Sequence, residues 1–198
     1  MADELEIILA SNSRTRTRML TDAGVAHRCD PSNVNEAIIK ANWTGRPEAL
    51  ARKLARTKAL TVSARHPHAL VIGGDQVLAL GTNVVDKPGS EEKVIEQLKR
   101  LSGREHRLIS AVAVAQGPDI IWDLVDTAHM HMRELSDEFI DDYIARVGKD
   151  VTDSAGAYHL ENLGAQLFSK VEGDFFTVLG LPLIALLNFL RNRGALKK

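Results

Sequence analysis

Cysteine is almost absent from this sequence: Cys29 is the only one. That excludes an internal disulfide framework and a cysteine cage for zinc, and it fits a reducing compartment. No charge of one sign dominates, since 25 Lys and Arg stand against 26 Asp and Glu, a net charge of -1. The chain therefore has no global basic field to hold nucleic acid by its phosphates, although a local field would serve a small anion. The opening MADELEIILA is acidic and has no basic segment, so it does not read as a signal peptide. The longest apolar stretch, residues 179–190, is interrupted by Gly180, Pro182 and Asn188. It falls short of the roughly 20 residues a membrane span needs and reads as a buried C-terminal helix. A cytoplasmic protein with no membrane or nucleic-acid partner is expected. Walker A, G-x-S-x-G, H-E-x-x-H and C-x-x-C motifs are all missing.

What is present is a chain of 198 residues, 44% of them hydrophobic, enough for one core over residues 1–198, in one lobe or two. Residues 5–10 predict a buried strand that ends at a Ser11-Asn12-Ser13 turn. A helix follows over 14–23, with Ser13 as N-cap and Gly24 as its stop. A short strand over 25–29 and a helix over 47–64 come next. A second apolar strand over 70–74 ends at Asp75, and residues 77–85 read as a hairpin turning at Gly81-Thr82-Asn83. Val94, Ile95, Leu98 and Leu101 mark one face of a helix over 90–101. Long strands over 107–115 and 120–132 meet at Gln116-Gly117-Pro118-Asp119, and helices over 136–147 and 181–193 complete the pattern. Interleaved helices and strand pairs predict an α/β fold with a mixed sheet.

Four constellations could carry chemistry. Ser11-Asn12-Ser13-Arg14-Thr15-Arg16 stands between a strand and a helix, where unpaired N–H groups, hydroxyls and arginines can hold phosphate; an ordinary capped helix has the same look. Gly73-Gly74-Asp75-Gln76 sets a carboxylate beside glycines that would let a ligand approach, suiting a metal or an activated water, or merely a turn. Lys58 continues the apolar stripe of Leu50 and Leu54 at helical spacing, so it would point inward and require an anionic partner. Lys87, in Asp86-Lys87-Pro88, is the other candidate, and a solvated lysine is the plain alternative for both. Arg104, within Ser102-Gly103-Arg104-Glu105-His106, could face a ligand or simply follow a helix stop. His129-x-His131 puts two imidazoles on one strand face without an evident third ligand, and Met130 and Met132 would face the core.

Taken in order, these segments resemble the Maf family of nucleoside triphosphate pyrophosphatases, over residues 7–190. The matching blocks begin with Ile8-Leu9-Ala10-Ser11-Asn12-Ser13, Leu54-Ala55-Arg56-Thr57-Lys58-Ala59 and Ile72-Gly73-Gly74-Asp75. They continue with Lys87-Pro88, Leu101-Ser102-Gly103-Arg104-Glu105-His106 and Ala155-Gly156-Ala157-Tyr158, then Gly173-Asp174 and Gly180-Leu181-Pro182. The resemblance implies a two-lobed Maf/inosine-triphosphatase-like α/β fold, a mixed twisted sheet flanked by helices and a central cleft. It also implies cleavage between the α- and β-phosphates, a divalent cation (Mg²⁺ or Mn²⁺), and a homodimer as a frequent assembly. Ser11 and Arg16 would hold the triphosphate, with Lys58 and Lys87 neutralising it and Arg104 as a further contact. Glu36 and Asp75 would bind the metal, and Asp75 would orient or deprotonate the attacking water.

This chain departs from the family pattern in places. Thr15 stands where the first of two arginines is usual, Gln76 where Thr or Ser follows the Asp, Asp86 where Gly precedes Lys-Pro, and Glu161 where Gln is usual. At the specificity positions, members acting on dTTP and UTP look like Arg, Thr, Gln, and those acting on 7-methyl-GTP look like Trp, Gln, Glu. Thr15, Gln76 and Glu161 match the second type at two of three. A carboxylate accepts from guanine N1–H and its amine and favours a cationic base, whereas the missing Trp removes a stacking surface. Purine selectivity, 7-methyl-GTP above all, is the expectation. The alternatives are a dTTP/UTP or broad house-cleaning pyrophosphatase and, from another class, a nucleotide-binding regulator of septum formation.

Overall fold

The computed structural model describes residues 5–197, so the first four acidic-leaning residues read above, and Lys198, lie outside it. The elements run β1 (Ile7–Leu9), α1 (Arg14–Asp22), β2 (Arg28–Cys29), α2 (Glu36–Ala41), α3 (Pro47–Ser63), β3 (Leu70–Leu80) and β4 (Asn83–Val85). They continue with α4 (Glu91–Leu101), β5 (Glu105–Gln116), β6 (Asp119–Met132), α5 (Asp137–Val147), β7 (Phe168–Glu172), α6 (Phe175–Val178) and α7 (Leu183–Asn192). Hydrogen bonding orders the strands β2-β1-β3-β5-β6-β7, with β4 on β3. β1 is parallel to β2 and β3, whereas β3–β4 and β6–β7 are antiparallel, so the sheet is mixed as expected.

The helices start where short polar side chains can satisfy free N–H groups. Ser13, Asn35, Ser90, Ser136 and Asp174 each accept from the backbone N–H three residues on. Pro47 opens α3, where its missing N–H is harmless.

The described chain forms two compact units. The first comprises residues 5–76, 109–126 and 174–197. Side chains alternate across β1: Ile7 and Leu9 join a core with Leu20, Ile72, Val112, Leu186 and Leu190, while Ile8 and Ala10 join Val62, Ala69 and Val71. The second unit comprises residues 77–108 and 127–173. It holds β4, α4, α5 and β7, and a ring cluster of His106, Tyr158 and Phe168.

The short α2, α6 and β7 were not expected, β2 is limited to Arg28–Cys29, and β3 departs from its expected end. β3 does not end at Asp75 but runs through it to Leu80, because Val77, Leu78 and Ala79 are buried and continue the strand. The two glycines also have another purpose than admitting a ligand. A Cβ on Gly73 would lie 2.2 Å from Ala55 O and 2.7 Å from Ala59 N, so this glycine lets α3 approach the strand backbone. A Cβ on Gly74 would meet Arg16 Nε at 3.1 Å.

Candidate active site

Asp75 is 4% exposed in mid-strand, and α3 lays Lys58, 8% exposed, against it. The stripe of Leu50, Leu54 and Lys58 is buried along its length, as its spacing predicts. Lys58 Nζ donates to Asp75 Oδ1 at 2.6 Å and also lies 2.6 Å from Glu36 Oε1. Glu36 comes from the first turn of α2, where a carboxylate is favoured by the helix N-terminus. One buried ammonium thus bridges two carboxylates, and Asp75 Oδ2 is buried with no hydrogen-bond partner. An orphaned carboxylate oxygen in a folded interior calls for an explanation, and a reactant or ion is one.

Arg16 reaches the same region from α1. Its Nε donates to Gly180 O at 2.8 Å and its Nη1 to Ser11 Oγ at 3.5 Å, while Ser11 Oγ also accepts from Ser13 N at 3.1 Å. Burial pushes the Asp75 carboxyl above its usual range; the charges of Lys58 and Arg16 oppose this, and Glu36 adds to it. Burial likewise lowers Arg16, with Asp75 and Glu36 acting against it. Buried Lys58 and Asp75, with partly exposed Arg16 and Glu36 beside them, therefore constrain one another, the kind of arrangement expected where charge must be handled.

The first unit thus gathers Ser11, Arg16, Glu36, Lys58, Asp75 and Gln76. Thr15 sits half-buried in the first turn of α1. Lys87, Arg104 and Glu161 belong to the second unit, and all three are exposed. His129 and His131 form cross-strand pairs instead of a metal site: His129 meets Glu105 at 2.7 Å and His131 meets Glu172 at 2.8 Å. Met130 and Met132 are buried on the opposite face, as expected.

Among the described residues no group of three or more His, Cys, Asp or Glu is arranged to hold a metal. Glu36 and Asp75 nonetheless fit Mg²⁺ chemistry, because Mg²⁺ commonly takes only one or two carboxylates and completes its shell with phosphate and water. The unpartnered Asp75 Oδ2 is open to such an ion or to a reacting water.

Sequence reasoning missed Ser110 and Thr177, both fully buried and hydrogen-bonded around Gln76. A lone serine within the apolar run of β5 was the available signal.

A family model described as Maf-like protein matches residues 6–193. The chain belongs to the Maf family. A Maf relative from Paramagnetospirillum magneticum, named "Nucleoside triphosphate pyrophosphatase", is 46% identical over 96% of this chain and 99% of its own. One from Rhizobium johnstonii, named "7-methyl-GTP pyrophosphatase", is 43% identical over 96% and 98%. One from Brucella abortus with that same name is 42% identical over 94% and 96%. No helix among the described residues of this Maf protein is long and apolar enough to cross a membrane.

Proposed function

We propose that this protein hydrolyses a nucleoside triphosphate to the monophosphate and pyrophosphate. The observation that carries the reading is buried Asp75, with Oδ1 held by Lys58 and Oδ2 unpartnered. That free oxygen orients an attacking water and accepts its proton. Arg16 and Lys58 bind phosphoryl oxygens and offset the charge that grows on the leaving pyrophosphate, in a setting where burial strengthens each contact. Ser11 Oγ, held by Ser13 N and Arg16, adds a hydroxyl to the same region. Glu36 and Asp75 would hold a divalent cation, Mg²⁺ or Mn²⁺, which when bound polarises a phosphoryl oxygen and neutralises triphosphate charge. Lys87 and Arg104 are phosphate-binding candidates on the family resemblance alone.

For the base we propose a guanine-type nucleotide, 7-methyl-GTP foremost. The exposed Glu161 would accept from the guanine N1–H and amine and favour an N7-methyl cation. Two relatives bearing the 7-methyl-GTP name support this. The more general name of the Paramagnetospirillum relative favours a second reading, in which several modified triphosphates are accepted.

The test is turnover of 7-methyl-GTP, GTP, UTP and dTTP with Mg²⁺ or Mn²⁺, reading pyrophosphate and orthophosphate separately, with Asp75→Asn as control. Pyrophosphate release that is lost in the variant and fastest with 7-methyl-GTP is the expected result. Fastest turnover of UTP or dTTP would overturn the base assignment. Similar rates across the panel favour the broad reading. No release from any triphosphate overturns the hydrolase and leaves a nucleotide-binding regulator.

A further inference from the structure

Gln76 follows Asp75 on β3, and the turn at residues 174–180 is fastened to it. Its Nε2 lies 3.1 Å from Thr177 O, 3.0 Å from Val178 O and 3.0 Å from Ser110 Oγ. The two carbonyls can only accept, and the Ser110 hydroxyl already donates to Thr177 O at 2.7 Å. Chemistry therefore fixes the amide orientation, because a flipped Gln76 would set its own carbonyl oxygen against two others. Its two amide hydrogens are shared over three acceptors, so none is left over for a ligand.

The same turn has further anchors. Thr177 Oγ1 donates to Asp126 Oδ2 at 2.6 Å, and Thr177 N donates to Asp174 Oδ1 at 3.1 Å. The turn ends at Gly180, whose φ of 99° favours glycine and whose carbonyl accepts from Arg16 Nε. A Cβ at Gly180 would lie 3.5 Å from Arg16 Nη2 and 3.7 Å from the Gln76 amide, so Arg16 and Gln76 both lie beside Gly180.

We infer that Gln76 is a positioning residue: with Ser110 it clamps the 174–180 turn whose Gly180 carbonyl orients Arg16, and its amide nitrogen does not read the base. The inference rests on the proposed triphosphate chemistry of Arg16. It departs from the specificity role that the family resemblance gives this position. Any contact of Gln76 with a nucleotide is left to its Oε1, an acceptor only.

The experiment is a double-mutant cycle of Gln76→Glu and Arg16→Ala, with kcat/KM measured on 7-methyl-GTP, GTP, UTP and dTTP. Glutamate keeps the shape and replaces the donor by an oxygen facing two carbonyls. Gln76→Glu is expected to lower kcat/KM on every triphosphate alike, by about tenfold or more. Added to Arg16→Ala it is expected to lower kcat/KM by less than about threefold further, since both act through one group. Ser110→Ala replaces Gln76→Glu in the cycle if the latter does not fold. A changed ranking of bases, or losses that multiply in full, overturns the inference. A second readout needs no turnover: exchange of the Arg16 Nε–H with solvent, followed by NMR. It is expected to quicken at least about tenfold in Gln76→Glu and Ser110→Ala as the Gly180 bond loosens. Unchanged exchange overturns the clamp even in an active enzyme. An inactive wild-type protein with quickened exchange upholds the clamp and sinks only the proposed hydrolase.

Discussion

The Lys58 ammonium lies 2.6 Å from Asp75 Oδ1, and both residues are almost wholly buried. A pair of this kind contributes little net stability as a whole, because desolvation offsets the attraction. Removing one member alone is far more damaging, since the other charge is then buried without compensation. Lys58→Ala is therefore expected to destabilise the fold by roughly 3–5 kcal/mol. Urea denaturation at neutral pH checks this. A loss under about 1 kcal/mol would mean that water reaches the pair freely.

Asp75→Asn keeps the shape and removes the base. Its Oδ1 partner remains, so the variant is expected to fold while turnover falls by about 10²–10⁴-fold, the range of general-base contributions. Pyrophosphate release in parallel with a thermal melt separates the two effects. Wild-type rates in the variant would remove Asp75 from the chemistry.

Gly73 and Gly74 are adjacent but should answer differently to alanine. At Gly73 the new Cβ meets the α3 backbone, Ala55 O at 2.2 Å and Ala59 N at 2.7 Å, and neither can move alone. Gly73→Ala is expected to cost about 3 kcal/mol or more, at the upper end of overpacking. At Gly74 the nearest atoms are Arg16 Nε at 3.1 Å and Cδ at 3.2 Å, parts of a side chain that can shift. Gly74→Ala should therefore melt close to wild type while its KM for triphosphate rises several-fold. Equal melting losses at both positions would contradict this.

His106 gives a pH dependence. It is 1% exposed, and burial lowers its pKa from 6.5 to about 4. The unfolded chain then binds more protons than the folded one between these values. Stability therefore falls as pH drops from about 6.5 toward 4 and is fully present above that window, a swing of roughly 3 kcal/mol. Gln in place of His106 can still reach the Tyr158 hydroxyl, which His106 Nε2 contacts at 2.7 Å, and it does not titrate. The difference in denaturation free energy between pH 7 and pH 4 should be smaller in His106→Gln by about that amount. An identical pH profile would place the titration elsewhere.

Glu161→Gln removes a charge from an exposed residue. If its carboxylate accepts from guanine, the preference for 7-methyl-GTP over UTP should shrink by about tenfold, the worth of one charge-assisted contact. Ratios of kcat/KM on the two substrates decide it, and an unaltered ratio excludes Glu161 as the base reader.

Much of the fold was legible because its signals are local. The Ser13 cap with its Gly24 stop, and the apolar face of Val94, Ile95, Leu98 and Leu101, give α1 and α4 to within a residue or two. The β5–β6 pair is announced by its turn at Gly117, which has φ of 59°. The short α2 and β7 carry too few residues for a period to show. β3 was cut short because paired glycines and an aspartate ordinarily mark a turn. Here Gly73 is demanded by the α3 backbone, a neighbour that no local pattern reveals.

The sequence by itself placed Lys58 on the stripe of Leu50 and Leu54 by helical periodicity, with a solvated lysine as the alternative, and the structure buries it. It also carried the family blocks that contain Ser11, Lys58 and Asp75, and the resemblance that implies roles for Arg16 and Glu36. Only the tertiary structure decided that Lys58 holds both Asp75 and Glu36, that Asp75 Oδ2 is left over, and that Gln76 is spent on Ser110 and the 174–180 turn. The reason is physical. Periodicity and capping are set by residues three or four apart, whereas a hydrogen bond between Gln76 and Val178 exists only once packing has brought distant segments within 3.0 Å.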